Sequence, residues 1–163
     1  MAPVEYEQTS PEDVDVVELL EFYRRQRHCL AAASQEKLRE MLRRSHCVIL
    51  ARQSGMLIGI ARGITDGVRG YLTECKLDPR FQGPAAVTRT DGRIEHDEQG
   101  IARELALRVL ACLRDAGAER VDVTAHGTEE DFCRELGFQP LRGAVSMQMD
   151  PRTLAMCGSV ALT

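Results

Sequence analysis

The first third of the chain changes from strand-like to helix-like spacing of its apolar residues. Residues 4–9 alternate between apolar and polar positions, which predicts a short first strand. Ser10 is suited to capping a helix, and apolar residues then recur at helical spacing through residues 14–27. Ser34 predicts the start of a second short helix that runs through Leu42.

The middle of the chain contains three apolar runs with strand spacing, at residues 46–52, 56–64 and 71–77. Short polar breaks join these runs, and Gly in the first two breaks is typical of hairpin turns. The three runs therefore predict an antiparallel meander. Residues 84–98 have no clean periodicity, and they predict a loop or a short excursion.

The second half of the chain returns to helical spacing. Residues 101–116 form the strongest helix pattern, with apolar positions repeated along one face. A strand is predicted at residues 120–125 and a helix at 128–136, for which Thr128 is the candidate cap. Residues 145–149 alternate and predict a last strand. This order of elements indicates an α+β fold.

Length and composition indicate one globular domain. The 163 residues predict a single domain over 1–150, interrupted by an insert at 84–98 and followed by a tail at 151–163. The chain is 44% hydrophobic and 28% charged, as ordinary globular proteins are. Its net charge of −4 argues against nonspecific nucleic-acid binding, which needs a basic surface.

The cysteines and the N-terminus indicate the compartment. Six cysteines are spread so that no C-x-x-C pair occurs, which argues against a metal knuckle, and no histidine spacing suggests a metal site. The first residues lack the pattern of a signal peptide, and no run is long enough to span a membrane. We expect a cytoplasmic protein without metal, membrane or nucleic-acid partners.

One segment, YLTECKLDPRFQG at Tyr71–Gly83, resembles the central strand of the GNAT family of acetyl-CoA-dependent N-acetyltransferases. The resemblance implies a mixed, mostly antiparallel sheet flanked by helices, with a splayed central strand pair at the cofactor cleft. It also implies that main-chain groups of Cys75, Lys76 and Leu77 pair with the pantetheine arm of acetyl-CoA. The alternative is a plain strand followed by a turn.

A second resemblance appears when residues 84–98 are set aside. The flanking letters then read QGQGIARELA, which is similar to the family's phosphate-loop pattern Q/R-x-x-G-x-G/A leading into a helix. The resemblance implies a binding site for the CoA pyrophosphate at the start of this helix, with Arg103 adding charge. Its residues are Gln82, Gly83, Gln99, Gly100, Ile101, Ala102 and Arg103. The alternative is a helix that merely starts at a glycine.

A third segment, Val121–Phe138, is similar to the family pattern N-x-x-A-x-x-F-Y-x-x-x-G-F. It departs from that pattern at three positions. His126 stands at the cofactor-binding asparagine, Glu129 replaces alanine, and Cys133 replaces the tyrosine that returns a proton to CoA.

Two residues are candidates for acid–base chemistry. Glu74 lies where the family frequently has a carboxylate, and strand alternation predicts that Leu72, Glu74 and Lys76 face one way. Glu74 is the candidate proton acceptor, and the alternative is an ion pair with Lys76, Arg62 or Arg69 at the surface. Cys133 is the candidate acid, and the alternative is a cysteine packed in the core.

The function implied by this resemblance is transfer of an acetyl group from acetyl-CoA to a primary amine of a small molecule or peptide by direct attack. The alternative is a degenerate relative that binds acyl-CoA or a partner without efficient catalysis. The apolar tail, residues 154–162, is a candidate homodimer contact.

Overall fold

The computed structural model describes residues 2–26, 29–81, 99–126 and 129–158. Within these ranges the chain forms five strands and five α-helices. The strands are β1 Val4–Gln8, β2 Cys47–Gln53, β3 Met56–Thr65, β4 Arg69–Leu77 and β5 Arg120–Asp122. The helices are α1 Val16–Arg25, α2 Gln35–Arg44, α3 Ile101–Asp115, α4 Glu129–Glu135 and α5 Pro151–Met156.

The five strands form one sheet in sequence order, β1-β2-β3-β4-β5. Each of the first three strand pairs is antiparallel, and β5 joins β4 in parallel. The predicted α+β class, with a mixed and mostly antiparallel sheet flanked by helices, is confirmed.

The sheet has a hydrophobic core on each face. Residues of α1 and α2 pack on one face against Val48 and Leu50 of β2, and we call this the α1/α2-side core. Residues of α3 and α4 pack on the other face against Ile49 and Ala51, and we call this the α3-side core. Consecutive β2 residues thus point to opposite faces and both faces are buried, which explains the continuous apolar run in the sequence.

Glycine allows α3 to lie close to the sheet. A Cβ at Gly63 would lie 2.7 Å from Val109 Cγ1, and one at Gly59 would lie 2.9 Å from Leu105 Cδ1. Any larger residue at these β3 positions would push the helix away from the strand. The two glycines therefore set the distance between the sheet and α3, whose first turn borders the candidate site.

The first helix does not begin where the sequence predicted. Ser10 makes no side-chain capping bond, and Pro11–Asp13 form a separate 3₁₀ turn. The cap is Asp15, whose Oδ1 accepts hydrogen bonds from the N–H groups of Val17 and Glu18. The second helix begins as predicted, because Ser34 Oγ accepts from the N–H of Lys37.

A β-bulge at Thr73 changes the face of the sheet to which the neighbouring side chains of β4 point. Arg62 pairs with Glu74 and Gly63 pairs with Leu72, so Thr73 is an extra residue on β4. The hydroxyl of Thr73 donates to the carbonyl oxygen of Arg62 at 3.0 Å. The prediction that Leu72 shares a face with Glu74 was wrong: Leu72 lies in the α3-side core.

The predicted last strand was also wrong. Residues 145–149 form no strand in the structure, and all five are exposed. The alternating pattern is present in the sequence, but these residues pair with no strand of the described sheet. A short helix, α5, follows immediately and has no buried residue.

Candidate functional site

An opening in the sheet forms where β4 and β5 diverge. The strands pair from Arg69 with Arg120 to Tyr71 with Asp122, after which β5 ends. β4 continues beside β3 as far as Leu77. A hydrogen bond between the hydroxyls of Tyr71 and Thr124, 2.5 Å long, closes the narrow end. The predicted splayed central strand pair is therefore present.

The N-terminus of α3 lies against β4 next to this opening. Gly100 precedes the helix with φ of 76°, a left-handed conformation that glycine adopts without strain. The thiol of Cys75 on β4 donates to the carbonyl oxygen of Ala102 in the first turn, at 3.4 Å. Ile101 is buried and Arg103 is exposed, so the first turn is anchored on one side and open on the other. A helix N-terminus in this setting is suited to anions.

Main-chain orientation distinguishes the three predicted pantetheine-binding residues of β4. The N–H of Asp78 donates to Ile58 on β3 at 2.7 Å, and a Cβ built at Gly59 would lie 3.2 Å from the Lys76 carbonyl oxygen. Main-chain groups of Lys76 thus face β3. Because main-chain direction alternates along a strand, those of Cys75 and Leu77 face the opening.

Gln26, at the C-terminal end of α1, reaches the same edge of β4. Its side-chain Nε2 donates to the carbonyl oxygen of Leu77 at 2.5 Å. Since a carbonyl only accepts, this bond fixes the orientation of the amide and directs Oε1 away from Leu77. Oε1 is buried and, within the described residues, is the one buried side-chain nitrogen or oxygen without a hydrogen-bond partner. Sequence reasoning missed Gln26, for which the sequence carries no signal.

Asp78 fixes the end of β4. Its buried carboxylate pairs with Arg25 of α1 at 3.0 Å and with Arg80 at 2.9 Å. Burial opposes the charge on Asp78, but hydrogen bonds from Arg80 and the two guanidinium charges hold its pKa below the ordinary value. The chain leaving β4 is therefore held against α1.

Glu74 is buried within a polar cluster on the α1/α2 face of the sheet. Its Oε1 accepts from the Tyr23 hydroxyl at 2.5 Å and from Arg62 Nε at 2.6 Å. Arg62 also donates to the hydroxyl of Ser45 at 3.0 Å. Arg62 was among the partners expected for Glu74, but the pair is buried and does not lie at the surface.

The pKa shifts in the cluster indicate which side chains are charged and which are neutral. Burial opposes ionisation of Arg62, yet the neighbouring Glu74 carboxylate leaves the pKa of its guanidinium raised. Burial, and then the charge of Glu74, raise the pKa of Tyr23 well above its ordinary value. Tyr23 is therefore a neutral hydrogen-bond donor to Glu74, and Arg62 is its cationic partner. Sequence reasoning read Tyr23 only as part of an apolar stripe.

Cys133, the other predicted catalytic residue, lies on the opposite side of the sheet. It is buried in the α3-side core together with Phe132. Burial and the nearby Glu129 raise the pKa of its thiol to about 11. The structure thus does not bring Cys133 and Glu74 together, and it places Cys133 in an environment typical of a packed cysteine.

His126 and Glu129 form the start of α4. The Glu129 carboxylate accepts from the N–H of His126 at 2.8 Å, and the N–H of Glu129 donates to the His126 carbonyl oxygen at 3.1 Å. This reciprocal pair connects His126 to the first residue of α4, and Glu129 is buried. His126 is exposed and lies four residues after the end of β5.

Several predicted residues lie outside the described ranges. They are Gln82, Gly83, the insert at 84–98 and Thr128. Over the residues that the structure does describe, no three His, Cys, Asp or Glu side chains are grouped as metal ligands. None of the described helices is long and apolar enough to cross a membrane.

Comparison with known proteins gives matches among solved structures. No family model and no curated protein matches the chain. A GNAT family acetyltransferase from Streptococcus pneumoniae TIGR4 is 20% identical with a TM-score of 0.68, over 92% of this chain and 99% of that one. A putative GNAT acetyltransferase from Xanthomonas campestris pv. campestris is 18% identical with a TM-score of 0.65, over 93% and 96%.

A third solved structure is the aminoglycoside N-acetyltransferase AAC(6')-Iy in complex with CoA. It is 13% identical to this chain, with a TM-score of 0.64 over 91% of this chain and 96% of that one. Identities this low show a shared fold. The sheet and its flanking helices belong to that fold.

Proposed function

We propose that this chain, which has the fold of the GNAT acetyltransferases, is an N-acetyltransferase that moves an acetyl group from acetyl-CoA to a primary amine. The observation that carries the proposal is the opening between β4 and β5 beside the N-terminus of α3. An extended cosubstrate arm fits such an opening, and its phosphates fit the helix end. The opening and the N-terminus of α3 lie next to each other, as one elongated ligand that binds both requires.

The residues of this chain fit acetyl-CoA in two places. Main-chain groups of Cys75 and Leu77 face the opening, where a peptide-like pantetheine arm would lie, and the Leu77 carbonyl oxygen also accepts from Gln26. The first turn of α3 is suited to the pyrophosphate, because Gly100 has no side chain and the space around its Cα is open. Arg103 is exposed in that turn and can add a charge-assisted bond to a phosphate. The proposed set is completed by Gln99, Ile101, Ala102 and His126, together with Gln82 and Gly83.

When bound, acetyl-CoA supplies the thioester whose acyl carbon the amine attacks. We assign direct attack because neither cysteine bordering the site is suited to carry the acetyl group. The Cys75 thiol is buried and donates to Ala102, and the pKa of Cys133 is raised to about 11. A covalent step needs an exposed thiolate of low pKa; Cys75 is not exposed, and the pKa of Cys133 is raised. Positioning of the two substrates in the opening then provides most of the rate enhancement.

Glu74 is the proposed proton acceptor, directly or through a water molecule. The Tyr23 and Arg62 bonds both go to Oε1 and hold the carboxylate in one orientation, so Oε2 is the oxygen that we assign to proton transfer. Cys133 remains the proposed proton donor to CoA by its position in the sequence, although its burial supports a packing role instead.

Gln26 is suited to accept a hydrogen bond from the acceptor amine. Its buried Oε1 lacks a donor within the described residues, and it lies at the edge of β4 that faces the opening. An N–H of the acceptor would satisfy this oxygen. Gln26→Met keeps the shape of the side chain but removes this oxygen. We expect it to raise the KM for the amine about tenfold with little change in kcat. The reason is that a hydrogen bond made equally in the ground state and in the transition state changes KM alone. An unchanged KM would remove Gln26 from the acceptor site.

The acceptor is proposed to be a primary amine of a small molecule or peptide. Support for a small molecule comes from the solved neighbours, two of which are aminoglycoside acetyltransferases. The test is release of the CoA thiol from acetyl-CoA in the presence of a panel of amines, including aminosugars, diamines and peptides with free amino groups. Amine-dependent release supports the proposal.

A second candidate function is binding of acyl-CoA without efficient catalysis. The observation that favours it is the ion pair of Glu74 with Arg62, together with the burial of Cys133. Under this alternative, acetyl-CoA stabilises the fold but no amine in the panel releases thiol. Catalysis is excluded for the panel in that case, while the cofactor site is retained.

A further inference from the structure

Two cysteines that the proposed chemistry does not use pack in one region of the α3-side core. Cys47 is the first residue of β2, and Cys112 lies in the last turn of α3. Cys47 belongs to that core, and Cys112 packs against it. Both are reduced thiols in the structure. They are 65 positions apart in the sequence, so the fold alone brings them to the same place.

Gly63 of β3 explains how the Cys47 thiol reaches α3. Gly63 pairs with Cys47 in the sheet. A Cβ built at Gly63 would lie 3.2 Å from Cys47 Sγ, 3.2 Å from Leu113 Cδ2 and 2.7 Å from Val109 Cγ1. The Cys47 sulfur therefore lies beside the turn of α3 from Val109 to Leu113, and this turn contains Cys112.

The two thiols are neighbours. Burial, and then the charge and the hydrogen bonding of the Cys112 thiol, raise the pKa of Cys47 to about 12. Hydrogen bonding acts only at contact distances, so the two sulfur atoms lie close together. An S–S bond between side chains that already meet needs little movement of either backbone.

The two cysteines differ in their access to solvent. Cys47 is 3% exposed, whereas Cys112 is half-buried. At neutral pH Cys47 is a protonated thiol, because its pKa is about 12. A small oxidant therefore reaches Cys112 first, and Cys47 is the adjacent thiol that can react with the oxidised product.

We propose that Cys47 and Cys112 are a redox modification site, at which hydrogen peroxide forms a reversible disulfide between β2 and α3. The Cys112 thiolate attacks one peroxide oxygen, the O–O bond breaks, and the sulfur is oxidised to a sulfenic acid with release of hydroxide. The Cys47 sulfur then attacks this sulfur, and its proton passes to the departing hydroxyl, which leaves as water. Two thiols and one peroxide thus give one disulfide and two water molecules.

The disulfide lies far from the proposed cofactor site. Cys112 is eleven residues after Ile101, which is about 16 Å along the helix axis. The first turn of α3 is held separately, by the bond from the Cys75 thiol to Ala102. A bridge across 65 positions restricts the unfolded chain. It is therefore expected to stabilise the fold and to leave acetyl-CoA binding unchanged, and the inference does not depend on the proposed function.

The test uses the full chain with Cys157→Ser, in which the exposed cysteine cannot link two copies. This protein is treated with hydrogen peroxide, and its remaining thiols are blocked before proteolysis. Peptide mass spectrometry identifies the disulfide, and thermal unfolding measures Tm before oxidation, after it and after reduction with dithiothreitol. Two matched proteins add Cys112→Ser or Cys112→Ala, so that neither the polarity nor the size of the new side chain decides the result.

We expect a peptide pair joined through Cys47 and Cys112, and a Tm that rises by about 5–15 °C and returns on reduction. Both Cys112 variants are expected to show no rise. The Kd for acetyl-CoA is expected to be the same before and after oxidation.

Three results overturn the proposal: oxidation of Cys112 to a sulfinic acid without a bridge, a bridge between other cysteines in its place, or an equal rise in Tm in the Cys112 variants. Failure of both the reduced and the oxidised protein to bind acetyl-CoA would count against the proposed function, and the disulfide result would stand by itself.

Discussion

Glu74 shows how a buried carboxylate can be oriented by its neighbours. A neutral phenol and a guanidinium bind the same oxygen, and the three side chains come from α1, β3 and β4. Such a cluster is stable only while each member is present, because removing one leaves a buried polar group without its partner. The cluster therefore connects the proposed chemistry to the packing of α1 on the sheet.

Glu74→Gln tests the proposed proton acceptor. An amide cannot accept the proton, so kcat is expected to fall about 100- to 10,000-fold. The KM for acetyl-CoA is expected to stay the same, since the proposed cofactor site does not include the Glu74 side chain. Loss of the charged partner of Arg62 is expected to lower the free energy of unfolding by about 1–3 kcal/mol.

The control for this variant is Glu40→Gln, which removes a half-buried carboxylate of α2 that pairs with Arg43 of the same helix. Steady-state rates and chemical denaturation are measured on both proteins. A Glu74→Gln enzyme with the wild-type kcat would show that Glu74 only holds α1 against the sheet.

Cys133 gives a prediction for alkaline pH. Its thiol has a pKa raised from 9.0 to about 11, so the folded protein keeps a proton that the unfolded chain releases. The resulting stability is complete below pH 9 and is lost as the pH rises through about 11, to a total of about 3 kcal/mol. Cys133→Ser removes this titration, and its free energy of unfolding is expected to decrease less steeply over that range.

The exposed Cys157 provides the comparison, because Cys157→Ser makes the same substitution outside both hydrophobic cores. Urea denaturation at several pH values measures the slope. Equal slopes for Cys133→Ser and wild type would contradict the environment assigned to this thiol.

At the scale of elements, two residues are candidate N-caps for α1, and mutation distinguishes them. Asp15→Ala removes an acceptor for two N–H groups and is expected to cost about 1 kcal/mol of stability. Ser10→Ala removes a side chain that caps nothing and is expected to change stability by less than about 0.5 kcal/mol. Thermal denaturation compares the two variants, and a larger loss for Ser10→Ala would place the cap at the predicted residue.

Periodicity predicted most elements of the fold, since both faces of the sheet are defined by buried apolar residues. It could not predict the bulge at Thr73, because a bulge depends on pairing with β3 and leaves no mark in the spacing of one strand. It also predicted a strand at 145–149 from an alternation that is real but finds no partner within the described chain. An alternating pattern shows that one face of a segment is apolar. It does not show which strand the segment pairs with.

The fold around the candidate site was predictable from the sequence. The helix α3 begins at Ile101 directly after Gly100, and β4 diverges from β5. Gln26, Tyr23 and Asp78 could not be predicted, because their roles depend on contacts between residues about 50 positions apart.

At the scale of the whole molecule, two open features remain after the cores are packed. One is the opening between β4 and β5, and the other is the exposed C-terminal segment at residues 139–158. Neither is explained by the stability of a single chain, since packed sheets and helices satisfy their own surfaces. The proposed cosubstrate accounts for the first of these features.

The most direct test of the central claim is thermal unfolding of the full chain during a titration with acetyl-CoA. A ligand that binds only the folded state raises its stability by about 2.7 kcal/mol at 100 times its Kd, which raises Tm by about 5–10 °C for a chain of this length. The account predicts a saturable rise with acetyl-CoA. An unchanged Tm at every concentration of acetyl-CoA would contradict it.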